Sequence, residues 1–431
     1  MGAERTRGRP VGAGAVRDDK HRGDPGAGQL QAERQTLLGV AAEDDDRARM
    51  RRAVALRKDE EIDGQSHPGN ERKDEYFQHE PQHGGIFANR RLARAGTLTQ
   101  NMPTCLFTCA GQRVDVVEAF GKAGAVTLAT DVSPYAPTLY RADRFAVVPR
   151  YTDPGYIGAL AELVRGHDVD LIVPLTDLDH RVLAAAKPAL EPALVLLPDS
   201  DVIERTADKY ASHLFFLENG IVSPDTWLPE EPPAEIDYPV LVKAREGFGS
   251  NHIYRASNDE ELDFFLRYTT VPSMVQRACR GKEFSIDIFC DLDSRCLNAI
   301  PRTMIHSKGG ESIKGMTLRD PELIELGRRV GETLELRGPA TVQCFREPDG
   351  RLEITDVNPR FGGAFALPTA AGSHYPELAL ALAAGEKPEP RLGEFEDGVV
   401  MTRFFSQIVL QKGEGDSLLP LESRLAAENE S

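Results

Sequence analysis

No run of about 18 apolar residues occurs in the 431-residue chain, which excludes a bilayer-spanning helix on hydropathy grounds. Cysteine is scarce. The six residues, at positions 105, 109, 279, 290, 296 and 344, form no C-x-x-C pair. That spacing disfavours a zinc framework and points to buried thiols in a reducing cytoplasm. A Gly-x-x-x-x-Gly-Lys-Ser/Thr segment is missing, so there is no P-loop, and no internal repeat of about 20–50 residues is visible. The N-terminal region has no apolar core of about 7–15 residues to serve as a secretory signal. It is also too acidic for a mitochondrial transit peptide.

Positive charge is in short supply as well. The chain carries 51 Lys and Arg against 68 Asp and Glu, a net charge of -17. Residues 1–100 hold 18 basic and 17 acidic residues, which leaves 33 against 51, or -18, on the rest. An acidic body argues against a general nucleic-acid surface, although a local cationic pocket for phosphates remains open to it. Residues 1–101 have little hydrophobic periodicity, and runs such as Glu43-Asp44-Asp45-Asp46 stand among scattered Gly and Arg. This composition predicts a disordered extension. Met102 reads as a natural beginning, because a strand pattern starts at Thr104.

From Thr104 onward, apolar strands alternate with helical patterns. The expected strands are Thr104–Thr108, Val126–Asp131, Phe145–Val148, Leu171–Leu175 and Ala193–Leu197; helices are expected at Val114–Lys122, Tyr156–Arg165 and about Asp179–Leu190. That rhythm predicts an α/β domain with a parallel sheet over 102–200. The turn Ala110-Gly111-Gln112-Arg113 has one glycine where a dinucleotide fingerprint needs three, so it reads as a structural strand–turn–helix. After residue 200 the class changes to α+β. A helix is expected over Val202–Asn219, strands at Val240–Lys243 and His252–Arg255, and a helix at Asp259–Tyr268. The second domain is placed at 201–410, with a small lid at about 220–273 and an acidic tail over 411–431.

Two segments carry chemistry. In the first, Lys243 ends an apolar strand just before Gly247-Phe248-Gly249-Ser250. Glycines let backbone N–H groups approach phosphates, and a lysine adds the charge that a triphosphate needs; an ordinary hairpin is the alternative. In the second, Thr341–Phe345 and Arg351–Arg360 flank the turn Pro348-Asp349-Gly350. Alternation sends Asp356 and Asn358 to one face, and a hairpin register can set Gln343 beside them. Such oxygen ligands suit magnesium, while an isolated Asp-x-Asn would read as a solvated hairpin face.

The order of these pieces resembles the ATP-grasp enzymes over some 300 residues, from about 103 to 410. The likeness is to the synthetase units of the carbamoyl-phosphate synthase large chain and to carboxylate–amine ligases, and Asp356-Val357-Asn358-Pro359-Arg360-Phe361-Gly362-Gly363 is its most specific motif. The resemblance implies an ATP-grasp fold preceded by a Rossmann-like domain. It implies that Lys209 and Lys243 meet nucleotide phosphates and that Gly247, Gly249 and Ser250 belong to a covering loop. Gln276, Arg277 and Ala278 would form the hinge whose backbone reads adenine, and Glu283 would bind the ribose. Gln343, Asp356 and Asn358 fall on magnesium ligands, with manganese a substitute, and Arg360 on the cation that steadies the transferred phosphoryl group.

Three departures from the family pattern stand out. Gln343 replaces an acid found in many relatives, Asp356 is shorter than the usual Glu, and Thr341 stands where peptide-forming relatives often carry an arginine. Arg360, with Arg302 or Lys314, is left to meet an acyl phosphate. Lys314 closes a segment, Ser307–Gly315, that reads as a loop covering substrate or phosphate or as a plain surface loop. No second synthetase copy, glutaminase part or Met-Lys-Met biotin-carrier segment is found. The expected function is ATP-dependent joining of a carboxylate to an amine through an acyl phosphate, with release of ADP and phosphate. The alternatives are a synthetase using bicarbonate and a noncatalytic nucleotide-binding module. Small carboxylate and amine substrates are the expected partners, without nucleic acid or membrane, and a homodimer is compatible.

Overall fold

The computed structural model describes residues 87–88, 102–247, 252–308, 311–413 and 418–421. Apart from Phe87–Ala88, the expected N-terminal extension lies outside the described residues, as do Gly249 and Ser250 and the end of the acidic tail. Among the described residues no helix is long and apolar enough to cross a membrane.

The first sheet contains β1 (Phe87–Ala88), β2 (Thr104–Thr108), β3 (Val126–Asp131), β4 (Arg144–Val147), β5 (Val169–Pro174) and β6 (Leu194–Val195). Their spatial order is β1-β4-β3-β2-β5-β6, with β1 antiparallel and the others parallel. Helices α1 (Val114–Lys122), α2 (Tyr156–His167) and α3 (His180–Ala186) make the crossovers. In α1, Val116, Val117 and Phe120 share a buried face, which is what the i, i+3, i+4 spacing dictates. The order of the sheet reverses between β2 and β5: the chain builds outward through β3 and β4, then returns to the other side of β2. Open α/β sheets bind ligands at such a switch, beyond the carboxyl ends of the two strands.

Where one helix was expected over Val202–Asn219 there are two, α4 (Ser200–Ala207) and α5 (Lys209–Glu218). Asp208 breaks the run by adopting an extended backbone and capping α5, its carboxylate accepting from the N–H groups of Tyr210 and Ala211. Such a cap contributes about 1 kcal/mol and favours the break over a continuous helix.

A small antiparallel sheet follows, with β7 (Thr226–Trp227), β8 (Val240–Ala244), β9 (Ile253–Ala256) and β10 (Ser273–Arg277) in the order β7-β10-β8-β9. Helix α6 (Asp259–Tyr268) covers it. Asn258 caps α6 by accepting from Glu261 N–H at 3.0 Å, and the Glu261 carboxylate accepts in return from Ser257 N–H at 2.7 Å. Val240, Val242, Ala256, Leu262 and Val275 give this unit its own core. Its last strand runs to Arg277, past the expected lid boundary at 273.

The third sheet has the order β15-β14-β11-β12-β13-β16. Its strands are β11 (Lys282–Cys290), β12 (Cys296–Lys308), β13 (Glu311–Thr317), β14 (Gly338–Arg346), β15 (Leu352–Asn358) and β16 (Val400–Thr402). One face is apolar and packs on α7 (Pro321–Thr333), with Ile286, Ile288, Val330, Val342 and Val357 in one cluster. A Cβ at Gly327 would lie 2.7 Å from Ile286 Cγ2, so a glycine is what lets α7 settle this close. The expected loop at 307–315 is largely strand, because β12 extends to Lys308 and β13 begins at Glu311. Helices α8 (Ala366–Ala370) and α9 (Tyr375–Ala383), then the paired strands β17 (Leu410–Lys412) and β18 (Leu418–Pro420), are the last elements among the described residues.

Candidate functional site

The opposite face of the third sheet is polar. Residues on it follow from register: Ser285 pairs with both Gln343 and Arg302, Asp287 with Thr341, Gln343 with Asp356, and Thr341 with Asn358. Since side chains alternate, Glu283, Ser285, Asp287, Arg302, Gln343, Asp356 and Asn358 share this side. Asn358 Nδ2 donates to Asp356 Oδ2 at 3.2 Å. Arg302 is buried and donates its Nε–H to Asp287 at 2.7 Å.

The small sheet supplies the facing charge. Lys243, on β8, donates to Gln276 Oε1 on β10 at 2.7 Å, and Gln276 Nε2 in turn donates to Thr226 at 3.0 Å. Burial holds the Lys243 ammonium below its ordinary value; Asp356 and Glu283 lie near enough to pull the other way, and Lys209 adds to the depression. Glu283 is pushed up by burial and eased by Arg302 and Lys243. Lys209, at the start of α5, donates to the Gly247 carbonyl at 2.8 Å. Arg245 pairs with Asp208, which ties the end of β8 to the cap of α5. Burial tends to raise the Asp208 carboxyl, but the Arg245 pair and two backbone N–H groups outweigh it and hold it low. Arg181 bridges Glu204 and Glu246, fixing the approach to the glycine loop.

Arg360 follows β15 and turns back over it. Its Nε–H donates to Asp177 at 2.7 Å and its Nη2 to Asn358 Oδ1 at 3.5 Å. Asp177 lies in the loop after β5 and was not singled out in the sequence, since no spacing relates residues 183 apart.

The structure thus brings Lys209, Lys243, Gly247, Gln276, Glu283, Asp356, Asn358 and Arg360 into one neighbourhood, with Gln343 beside Asp356. It sets Lys314 apart. Gly315 abuts Leu367, and Lys314, one residue earlier on β13, is exposed and turned to the other side by alternation. The hinge also differs from expectation. The N–H groups of Arg277 and Ala278 already donate to the carbonyls of Asp225 and Pro239, at 2.8 and 3.0 Å. A base meeting this segment must therefore use its carbonyls or N–H groups further along. The Gln276 side chain, by contrast, orients Lys243, and the Arg277 side chain pairs with Glu353.

Asp356 offers one carboxylate, and Asn358 and Gln343 offer amide oxygens. That donor set fits magnesium, a hard cation that takes its remaining ligands from phosphates and water. Cys279, Glu347 and Glu353 form a second group within 4.8 Å. Arg277 neutralises Glu353, and Glu347 accepts from Arg280 N–H, so this cluster is explained without an ion.

Residues 105–194 match the model of a PylC-like N-terminal domain, and residues 269–404 match the model of an ATP-grasp found in the biosynthetic pathway with the Ter operon. Over 141 residues the chain is 30% identical to the carbamoyl phosphate synthase large chain of Agathobacter rectalis, a stretch that is 29% of this chain and 13% of that protein. The biotin carboxylase of Campylobacter jejuni superposes with a TM-score of 0.58 at 12% identity, covering 74% of this chain and 78% of that one. The L-amino acid ligase of Bacillus licheniformis gives 0.55 at 18% identity, covering 69% and 78%. At these identities the likeness is one of fold.

Proposed function

We propose that the chain, whose residues 269–404 match an ATP-grasp model, is an ATP-dependent ligase that activates a small carboxylate as an acyl phosphate and joins it to an amine. The observation that carries this reading is that half-buried Lys243, held by Gln276 on the small sheet, lies near enough to Asp356 and Glu283 on the third sheet to feel their charge.

Phosphoryl transfer demands alignment and charge neutralisation more than covalent help from the protein. Lys209 and Lys243 neutralise the nucleotide phosphates from the small-sheet side. Glu283 accepts from the ribose hydroxyls. Asp356, Asn358 and Gln343 would hold magnesium, which supplies charge stabilisation to the phosphates when bound. Arg360, steadied by Asp177, meets the phosphoryl group as it passes to the carboxylate. Activation is needed because a carboxylate is a poor electrophile at neutral pH, whereas the acyl phosphate has a good leaving group. Exclusion of water then preserves it for the amine.

The test is nucleotide turnover with magnesium and a panel of carboxylates and amines, run with and without bicarbonate. ADP and phosphate released in step with an amide product support the reading. AMP and pyrophosphate, or turnover that depends on bicarbonate alone, would replace it.

A further inference from the structure

The switch point of the first sheet carries polar groups that the scheme above does not use. Thr108 ends β2 and pairs with Pro174 at the end of β5, and Leu175 N–H donates to the Thr108 carbonyl at 3.3 Å. Just beyond, Thr108 Oγ1, Asp179 Oδ1 and His180 Nε2 have no hydrogen-bond partner among the described residues. All three residues are buried, at 0%, 0% and 3% exposure. A buried polar atom left unmet costs about 1–3 kcal/mol, so each of the three calls for a partner the described residues do not supply.

They lie on one side of the sheet. Leu106, two residues before Thr108, packs in the same cluster as Tyr156 and Leu183, so Thr108 faces that side too. The Tyr156 hydroxyl donates to the other Asp179 oxygen at 2.7 Å, inside the same cover. Asp177 stands 3.9 Å from His180 Nδ1 and holds Arg360, so this end of the sheet adjoins the residue that would meet the acyl phosphate.

The chemistry of the free atoms selects the ligand. A carboxylate oxygen, a hydroxyl and an imidazole nitrogen can all accept, and burial holds His180 below its ordinary value despite Asp177 and Asp179. An ammonium group has three donors and no acceptor. We propose that the switch point beyond β2 and β5 takes the ammonium group of the amine substrate, with Asp179 as its principal acceptor and Thr108 and His180 completing the set. This rests on the ligase reading given above.

The experiment uses the full chain and a carboxylate and amine that the wild type joins. Amide formation is compared with hydroxamate formation from the same carboxylate and hydroxylamine, a nucleophile largely neutral at pH 7 that needs no cation site. In Asp179→Asn, KM for the amine should rise at least about 10-fold, as when a buried charge partner is lost, while the hydroxamate rate stays within about 3-fold of wild type. Equal losses in both assays, or no change in either, would overturn the assignment. If Asp179→Asn does not fold, Tyr156→Phe, which releases the second Asp179 oxygen, should split the two assays in the same sense but less; an unsplit change would again overturn it. A wild type that forms neither hydroxamate nor ADP with any carboxylate would count against the ligase reading instead.

Discussion

Arg360 donates its Nε–H to Asp177 at 2.7 Å, which fastens the loop after β15 to the loop after β5. The pair is part-buried, and Asn358 accepts from the same guanidinium. Removing the charge of Asp177 should let Arg360 drift from the transferred phosphoryl group without touching the nucleotide pocket. Asp177→Asn is therefore expected to lower kcat about 10-fold, with KM for ATP changed less than about 2-fold. Asp177→Glu should recover part of the loss. Steady-state kinetics on the three proteins check this, and a rise in KM for ATP with unchanged kcat would contradict it.

Lys243 gives a pH-dependent prediction. Burial holds its folded value below the ordinary 10.5, so between that depressed value and about 10.5 the unfolded chain binds more protons than the folded one. Stability contributed through this group must then rise with pH. Urea unfolding of wild type and Lys243→Met at intervals up to about pH 10.5 should show wild type gaining on the variant as pH rises toward that value. Nucleotide binding supplies the missing counter-charge and should be accompanied by proton uptake in the same range. A constant difference would mean that the ammonium is not desolvated.

Gly281 sits between the hinge and β11, and a Cβ there would run into the backbone carbonyl of Arg346. A carbonyl fixed in the β14–β15 hairpin cannot swing away as a side chain would. Gly281→Ala is expected to cost at least about 2 kcal/mol of stability, read by denaturant unfolding; a loss under about 0.5 kcal/mol would contradict the close approach.

Lys243→Ala, Asp356→Ala and Arg360→Ala should each reduce turnover by at least about 100-fold, with circular dichroism close to wild type, as for groups aimed at a transition state. Chelation of magnesium should have the same effect and should be reversed by adding the ion back. Turnover surviving any of these within a few-fold would remove that group from the site.

Much of the fold was legible because apolar periodicity fixes which face is buried. Strands Thr104–Thr108 and Val126–Asp131 and helices Val114–Lys122 and Asp259–Tyr268 have the bounds their patterns predict. The break at Asp208 was hidden, since helical periodicity continues through it and only the cap geometry ends the first helix. Strand β13 was read as a loop because Gly315 and the charges of Glu311 and Lys314 mask a strand that is paired through the backbone with β12 and β16. In the site, the residues of one hairpin could be grouped by alternation, and their neighbours in sequence by motif. Asp177 and the side-chain role of Gln276 could not, because each depends on which distant strand the fold brings alongside. Lys314 could not be placed for a local reason: one residue of alternation decides the face, and a segment read as a loop carries no face at all.

The central claim is that a carboxylate oxygen attacks the γ-phosphoryl group of ATP, and isotope transfer tests it most directly. With the carboxylate that supports turnover labelled in both oxygens with oxygen-18, the inorganic phosphate released during ligation should carry one labelled oxygen, and the nucleotide product should be unlabelled ADP. Label appearing in AMP, or phosphate released without label while amide accumulates, would contradict the account.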